Sequence, residues 1–140
     1  MEKYMKIALK EAKKAYNKNE VPIGAVIVKN GEIISKAHNK KEKTKNCIQH
    51  AEIIAIKKAC RKLKNWRLID CTLYVTMEPC MMCCGAILES RITKLVYGIE
   101  NINNGNTKNL KNIEIIKNIC EEDCKDIITK FFREKRNLNL

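Results

Sequence analysis

An α/β protein built on a layered sheet is the fold class this chain predicts, and three observations carry it. Apolar residues recur at helical spacing in separate stretches. Between those stretches lie short β-branched runs bounded by Gly, Pro and Asn. The two patterns alternate as αββαβαβ(β)α, an order that favours helices packed on a sheet.

Each element has its own justification. Met5, Ala8, Ala12 and Ala15 with Tyr16 recur at helical spacing, with lysines on the other face, and predict an amphipathic first helix. Val21-Pro22 closes it and begins an extended segment. Gly24 to Val28 reads as a buried strand, Asn30-Gly31 as a type I′ turn, and Glu32 to Ala37 as the returning strand. Asn39 to Asn46 is polar and lysine-rich, a loop. His50 opens a second helix that runs to about Leu63, and Thr72 to Thr76 is a third strand. Pro79 suits the first turn of a third helix, where its missing N–H costs nothing, and that helix ends near Ser90. Leu95 to Gly98 is a fourth strand, 101–112 a loop, Ile113 to Ile116 a fifth strand, and Glu121 to Arg136 a last amphipathic helix.

At 140 residues the chain is expected to form one domain, 1–140, large enough for a single core. Lys and Arg number 28 against 16 Asp and Glu, a net charge of +12. Such a field suits a polyanion such as nucleic acid. Abundant Lys, Asn and Ile with scarce Arg is equally what an AT-rich genome produces. The opening Met-Glu-Lys-Tyr-Met-Lys has no secretory character, and no apolar run approaches the ~20 residues a membrane span needs. A cytoplasmic location is therefore expected. There, eight cysteines point to metal binding before disulfides. Cys60, Cys71, Cys120 and Cys124 read as small buried apolar residues.

The chemistry-bearing residues fall in two clusters, His50-Ala51-Glu52 and Pro79-Cys80-Met81-Met82-Cys83. Cys80 and Cys83 share one helix face at i,i+3, in a first turn whose free N–H groups stabilise thiolates. His50 opens the other helix, so two helix mouths can face one ion. A structural zinc uses four protein ligands, whereas a catalytic zinc keeps three and leaves a position for water. Glu52, two residues past His50, can reach the same axial end and act as general base and acid. A closed site is also compatible with the spacing. Cys47-Ile48-Gln49-His50 has ligand spacing and, with Cys80 and Cys83, makes a Cys3His set; Cys84 is a second possible fourth ligand. The closed reading leaves Glu52 without a task.

His50-Ala51-Glu52 with Pro79-Cys80-x-x-Cys83 resembles the signature of the zinc-dependent nucleoside and nucleobase deaminases. Nearly the whole chain resembles, within that superfamily, the bacterial tRNA adenosine deaminase branch. The match runs through Glu20 to Val26, His50 to Ile53, Thr72 to Cys83, Gly85-Ala86-Ile87, Ser90-Arg91-Ile92 and Phe131 to Arg136. The resemblance implies a three-layer α/β/α cytidine-deaminase-like fold with a central mixed sheet of about five strands. It implies one Zn2+ per subunit held by His50, Cys80 and Cys83, with Glu52 as the proton shuttle. The implied reaction converts the wobble adenosine of an arginine-type tRNA anticodon loop to inosine, in a homodimer. Asn39 would bind the nucleoside, Ala51 would offer its backbone N–H to the base, and Pro22-Ile23 would line the pocket.

A splayed loop needs aromatic platforms and basic side chains. Phe132, Arg133 and Lys135 supply them, with Phe131 turned to the core. The tract between Gly98 and Ile113 departs from the resemblance, with Glu100, Asn101 and Asn103 where the family carries a basic–acidic pair and a lysine. Two rival readings remain. One is a deaminase of free guanine, cytosine or deoxycytidylate. The other is a non-enzymatic RNA-binding protein with a closed Cys3His zinc site.

Overall fold

The computed structural model describes residues 1–138. Its elements run α1 (Glu2–Asn17), β1 (Gly24–Lys29), β2 (Glu32–His38), α2 (Lys41–Thr44), α3 (Ala51–Leu63), β3 (Cys71–Met77), α4 (Met81–Glu89), β4 (Lys94–Ile99), β5 (Glu114–Ile116) and α5 (Glu121–Leu138). A short 3-10 turn at Thr107–Asn109 precedes β5. The strands form one sheet in the order β2-β1-β3-β4-β5. β1 is antiparallel to both β2 and β3, whereas β3, β4 and β5 run parallel. The sheet is therefore mixed and five-stranded, with helices on both faces.

Side-chain alternation along the strands explains the three layers. Successive residues of a strand face opposite sides. Ala25, Ile27, Leu73, Val75, Leu95 and Tyr97 join Ile54, Ala55 and Ala59 of α3 and Ile87 of α4 in one core. Val26, Val28, Tyr74 and Val96 join Met5 and Ala8 of α1 and Cys124 of α5 in a second. Each fully buried Leu, Ile or Val contributes about 1.5–3 kcal/mol. Gly24 lets α1 approach closely, because a Cβ there would overlap the Ala8 carbonyl and the Ala12 nitrogen. Asn30 and Gly31 both take positive φ, as a type I′ turn requires.

Four local expectations change. His50 is the N-cap of α3 and not its first helical residue. Cys80 is the N-cap of α4, so Pro79 precedes the helix instead of entering its first turn. Both caps have extended backbone, which ends the preceding segment before the helix begins. The polar loop after β2 contains the single-turn helix α2, which local propensity does not announce. Cys71 and Cys124 are buried as expected, but Cys60 and Cys120 are only partly so. Among the described residues, no helix is long and apolar enough to cross a membrane.

Candidate active site

Two chain reversals build the site at the C-terminal end of β3. His50 enters α3 with φ −80° and ψ 153°, and Cys80 enters α4 with φ −75° and ψ 178°. Neither side chain caps its own helix, so both are free to point across the gap between the two helix mouths. Cys83 follows one turn inside α4 and is buried. The Nδ1 of His50 lies 3.8 Å from Cys80 Sγ and 3.6 Å from Cys83 Sγ. The three ligand atoms all sit within 4.8 Å of one another, a group that can hold a metal ion.

The surrounding electrostatics match such a group. A hydrogen bond from the Cys83 thiol, followed by one from His50, brings Cys80 down to about 3, well inside the thiolate range. Cys83 moves the other way, because its thiol is the donor to Cys80 and because it is buried. His50 is raised chiefly by its hydrogen bond with Cys80, against the effect of burial. Glu52 is 4% exposed. Its burial pushes the carboxyl up to about 7, opposed by its own backbone N–H and by His50.

The alternative fourth ligands lie elsewhere. Cys47 is exposed in the loop before α3 and does not join the group. The Cys84 thiol is buried, is pushed up to about 12 by that burial, and donates to the Pro79 carbonyl at 3.6 Å. Among the described residues, the metal-type group has three members.

The trio lies beside a cleft of about 1080 Å³. Val21, Ile23, Asn39 and Glu52 line it on the β1 and α3 side, and Ile128 and Phe132 of α5 line it from across. Pro22 lies beneath the wall, fully buried, because alternate residues of an extended segment face opposite sides. The two expected base contacts engage each other: Ala51 N–H donates to Asn39 Oδ1 at 2.7 Å. Phe131 is buried and packs edge-on against Tyr16 at 6.1 Å, whereas Phe132 is 42% exposed. Arg133 and Lys135 lie outside the lining, with the Lys135 ammonium 5.5 Å from the Phe131 ring.

Sequence reasoning did not find Glu78, Lys41 or Lys125, which also line the cleft. The available signal for Glu78 was a carboxylate at the end of a buried strand, next to a ligand motif. Lys41 and Lys125 carried no signal beyond the general basicity.

This layered sheet, with a His/Cys/Cys trio at two helix mouths and a buried carboxylate beside it, defines the class of nucleobase-type deaminase domains. The family described as MafB19-like deaminase matches residues 1–136. The chain is 48% identical to the tRNA-specific adenosine deaminase of Bacillus subtilis, over 96% of this chain and 90% of that one. A structure solved in studies of A-to-I editing by tRNA:A34 deaminases superposes with a TM-score of 0.84 at 34% identity. It covers 89% of this chain and 97% of its own. A guanine deaminase from Bacillus subtilis gives 0.69 at 39% identity, over 73% and 66%. The chain belongs to the tRNA-specific adenosine deaminase family.

Proposed function

We propose that this chain converts the wobble adenosine of a tRNA anticodon loop to inosine, using zinc held by His50, Cys80 and Cys83. The observation that carries the chemistry is a three-membered ligand group beside a buried carboxylate at the floor of an open cleft. A tetrahedral zinc, at about 2.3 Å from sulfur and about 2.0–2.1 Å from nitrogen, places those donors about 3.6 Å apart. The His50–Cys83 spacing of 3.6 Å and the His50–Cys80 spacing of 3.8 Å fit that ion. With three protein ligands, a bound zinc supplies Lewis acidity at an open position.

The chain's own residues account for the rest. Glu52 takes a proton from the attacking water and delivers protons to the base. Water adds at C6 of adenine, the C6–N6 bond breaks, and ammonia leaves. Asn39 aligns the start of α3 through Ala51, and its amide NH2 remains as a donor for the nucleoside. Phe132 offers a ring on which a splayed base can stack. Lys41 at the cleft, and Arg133 and Lys135 further along α5, would supply the charge that meets phosphates.

The cleft is far larger than a free base requires, and exposed side chains border it. That supports an RNA loop over a free nucleobase. A homodimer fits α4, whose sequence MMCCGAILE carries one charge yet leaves Met81 74% and Leu88 41% exposed. A second copy packed on that face would cover them. A cytoplasmic location suits a tRNA substrate.

The test is a panel of wobble-adenosine stem-loop, free adenosine, guanine and cytosine, given to the zinc-loaded protein. Inosine in the stem-loop is expected, and xanthine or uracil from free bases alone would refute the RNA assignment. Glu52→Gln should keep one zinc per chain and lose about 10²–10⁴-fold in turnover, the usual worth of a general acid–base group. Undiminished turnover removes Glu52 from that role.

A further inference from the structure

One wall of the cleft has no apolar anchor. Residues 101–104 line it, yet Ile102 is 92% exposed and none of residues 101–107 is buried. One carboxylate gathers three of the hydrogen bonds that restrain the loop. Glu78 Oε1 accepts from Asn101 N–H at 3.2 Å. Its Oε2 accepts from Thr107 N–H at 3.2 Å and from the Thr107 hydroxyl.

The same loop is joined directly to the ligand segment. Asn106 N–H donates to the Pro79 carbonyl at 3.1 Å, and Gly105 forms an isolated antiparallel bridge with Cys80. Glu78 N–H donates to the Ile99 carbonyl at 2.8 Å, which ties the root of the clamp to β4. Gly105 makes room for the arrangement. A Cβ at that position would overlap Glu78 Oε1 and the Asn101 carbonyl. Glu78 therefore stands between Cys80, two residues on, and the loop that faces the substrate.

We propose that Glu78 is a positioning residue, which holds the 101–107 wall in register with the metal-ligand segment and so sets how tightly substrate binds. The proposal deepens the RNA reading and rests on it. Two backbone N–H groups and one hydroxyl of the loop converge on the Glu78 side chain. Without those hydrogen bonds the loop keeps only its ties to Pro79 and Cys80 and its internal bonds, and substrate must order the 101–104 wall on binding. The cost falls on binding and not on the chemical step, because Glu52 and the ligand trio are held by α3 and α4.

The test compares zinc-loaded wild type with Glu78→Ala, Glu78→Gln, Thr107→Val and Thr107→Ser. It reads zinc content, amide exchange at Asn101 and Thr107, and kcat and KM on the stem-loop. Glu78→Ala should keep its zinc, exchange those two amides at least about tenfold faster, and raise KM about tenfold or more while kcat moves less than about threefold. Glu78→Gln should fall between. Thr107→Val should show a smaller rise in KM, and Thr107→Ser should restore the wild-type value. Unchanged exchange, or zinc and kcat lost together with KM, overturns the proposal. If wild type deaminates only free bases, the RNA reading fails separately. Glu78 is then judged by KM for that base, and an unchanged value refutes its role.

Discussion

Glu11 and His38 join α1 to β2 beneath the surface, with Glu11 Oε1 and His38 Nδ1 3.1 Å apart. Lys14 completes the chain at 2.7 Å from Glu11 Oε2. The other ring nitrogen, His38 Nε2, is buried and has no hydrogen-bond partner among the described residues. Burial lowers His38 below its ordinary 6.5, helped by Lys18 and Lys40 and opposed by Glu11. Burial raises Glu11, but hydrogen bonds from Lys14 and His38 outweigh it and leave the carboxyl below 4.5. Below pH 6.5 the unfolded chain takes the imidazole proton first, so it binds more protons than the native state. Stability contributed at that residue is thus lost as pH falls from 6.5 toward the lower native value. Thermal melts at pH 7 and pH 5.5 should show a larger loss for wild type than for His38→Gln. Equal losses would mean that His38 carries none of the acid sensitivity.

At the scale of elements, α2 is too short to stand alone, because a helix nucleus fixes several residues for a single hydrogen bond. It exists here because Glu20, 1% exposed, accepts from Glu42 N–H at 3.0 Å and Lys43 N–H at 2.7 Å. This buried carboxylate holds the lysine-rich turn beside the cleft. Glu20→Ala leaves both donors, on exposed residues, to water, at a net cost of about 0.5–1.5 kcal/mol per lost hydrogen bond. The melting temperature should fall, and the amides of residues 42 and 43 should exchange faster. An unchanged rate at those amides would show that α2 is held by something else. Glu20 and Glu78 do comparable work on two rims of one cleft, each by accepting backbone N–H groups.

For the whole molecule, the +12 charge acts on association more than on the fold. Binding to a polyanion releases counterions, so affinity should fall steeply with salt. KM for the stem-loop should rise about tenfold or more between about 50 and 200 mM monovalent salt, whereas turnover of any small substrate should change little. A salt-independent KM would assign the basic composition to genome bias. The same measurement on Lys41→Ala would test whether the α2 rim contributes to the slope.

Much of this was legible in the chain itself. Periodicities of two and 3.6 residues located nearly every element, because the long helices and every strand but the short edge strand β5 bury at least one face. The candidate ligands were legible because His50-Ala51-Glu52 and Cys80 to Cys83 are local clusters whose residue types have few other uses together. Spacing could not choose between a closed site with Cys47 and an open one, since both sets are compatible with the same separations. Tertiary structure groups His50, Cys80 and Cys83, while Cys47 stays exposed in its loop, which supports the open set. It also decided that Asn39 bonds to Ala51, that Pro22 is buried while Ile23 faces the cleft, and that Glu20 and Glu78 hold its rims. The physical reason is common to these cases. Their partners are backbone groups or faces many residues away, and a backbone N–H carries no signature in the sequence.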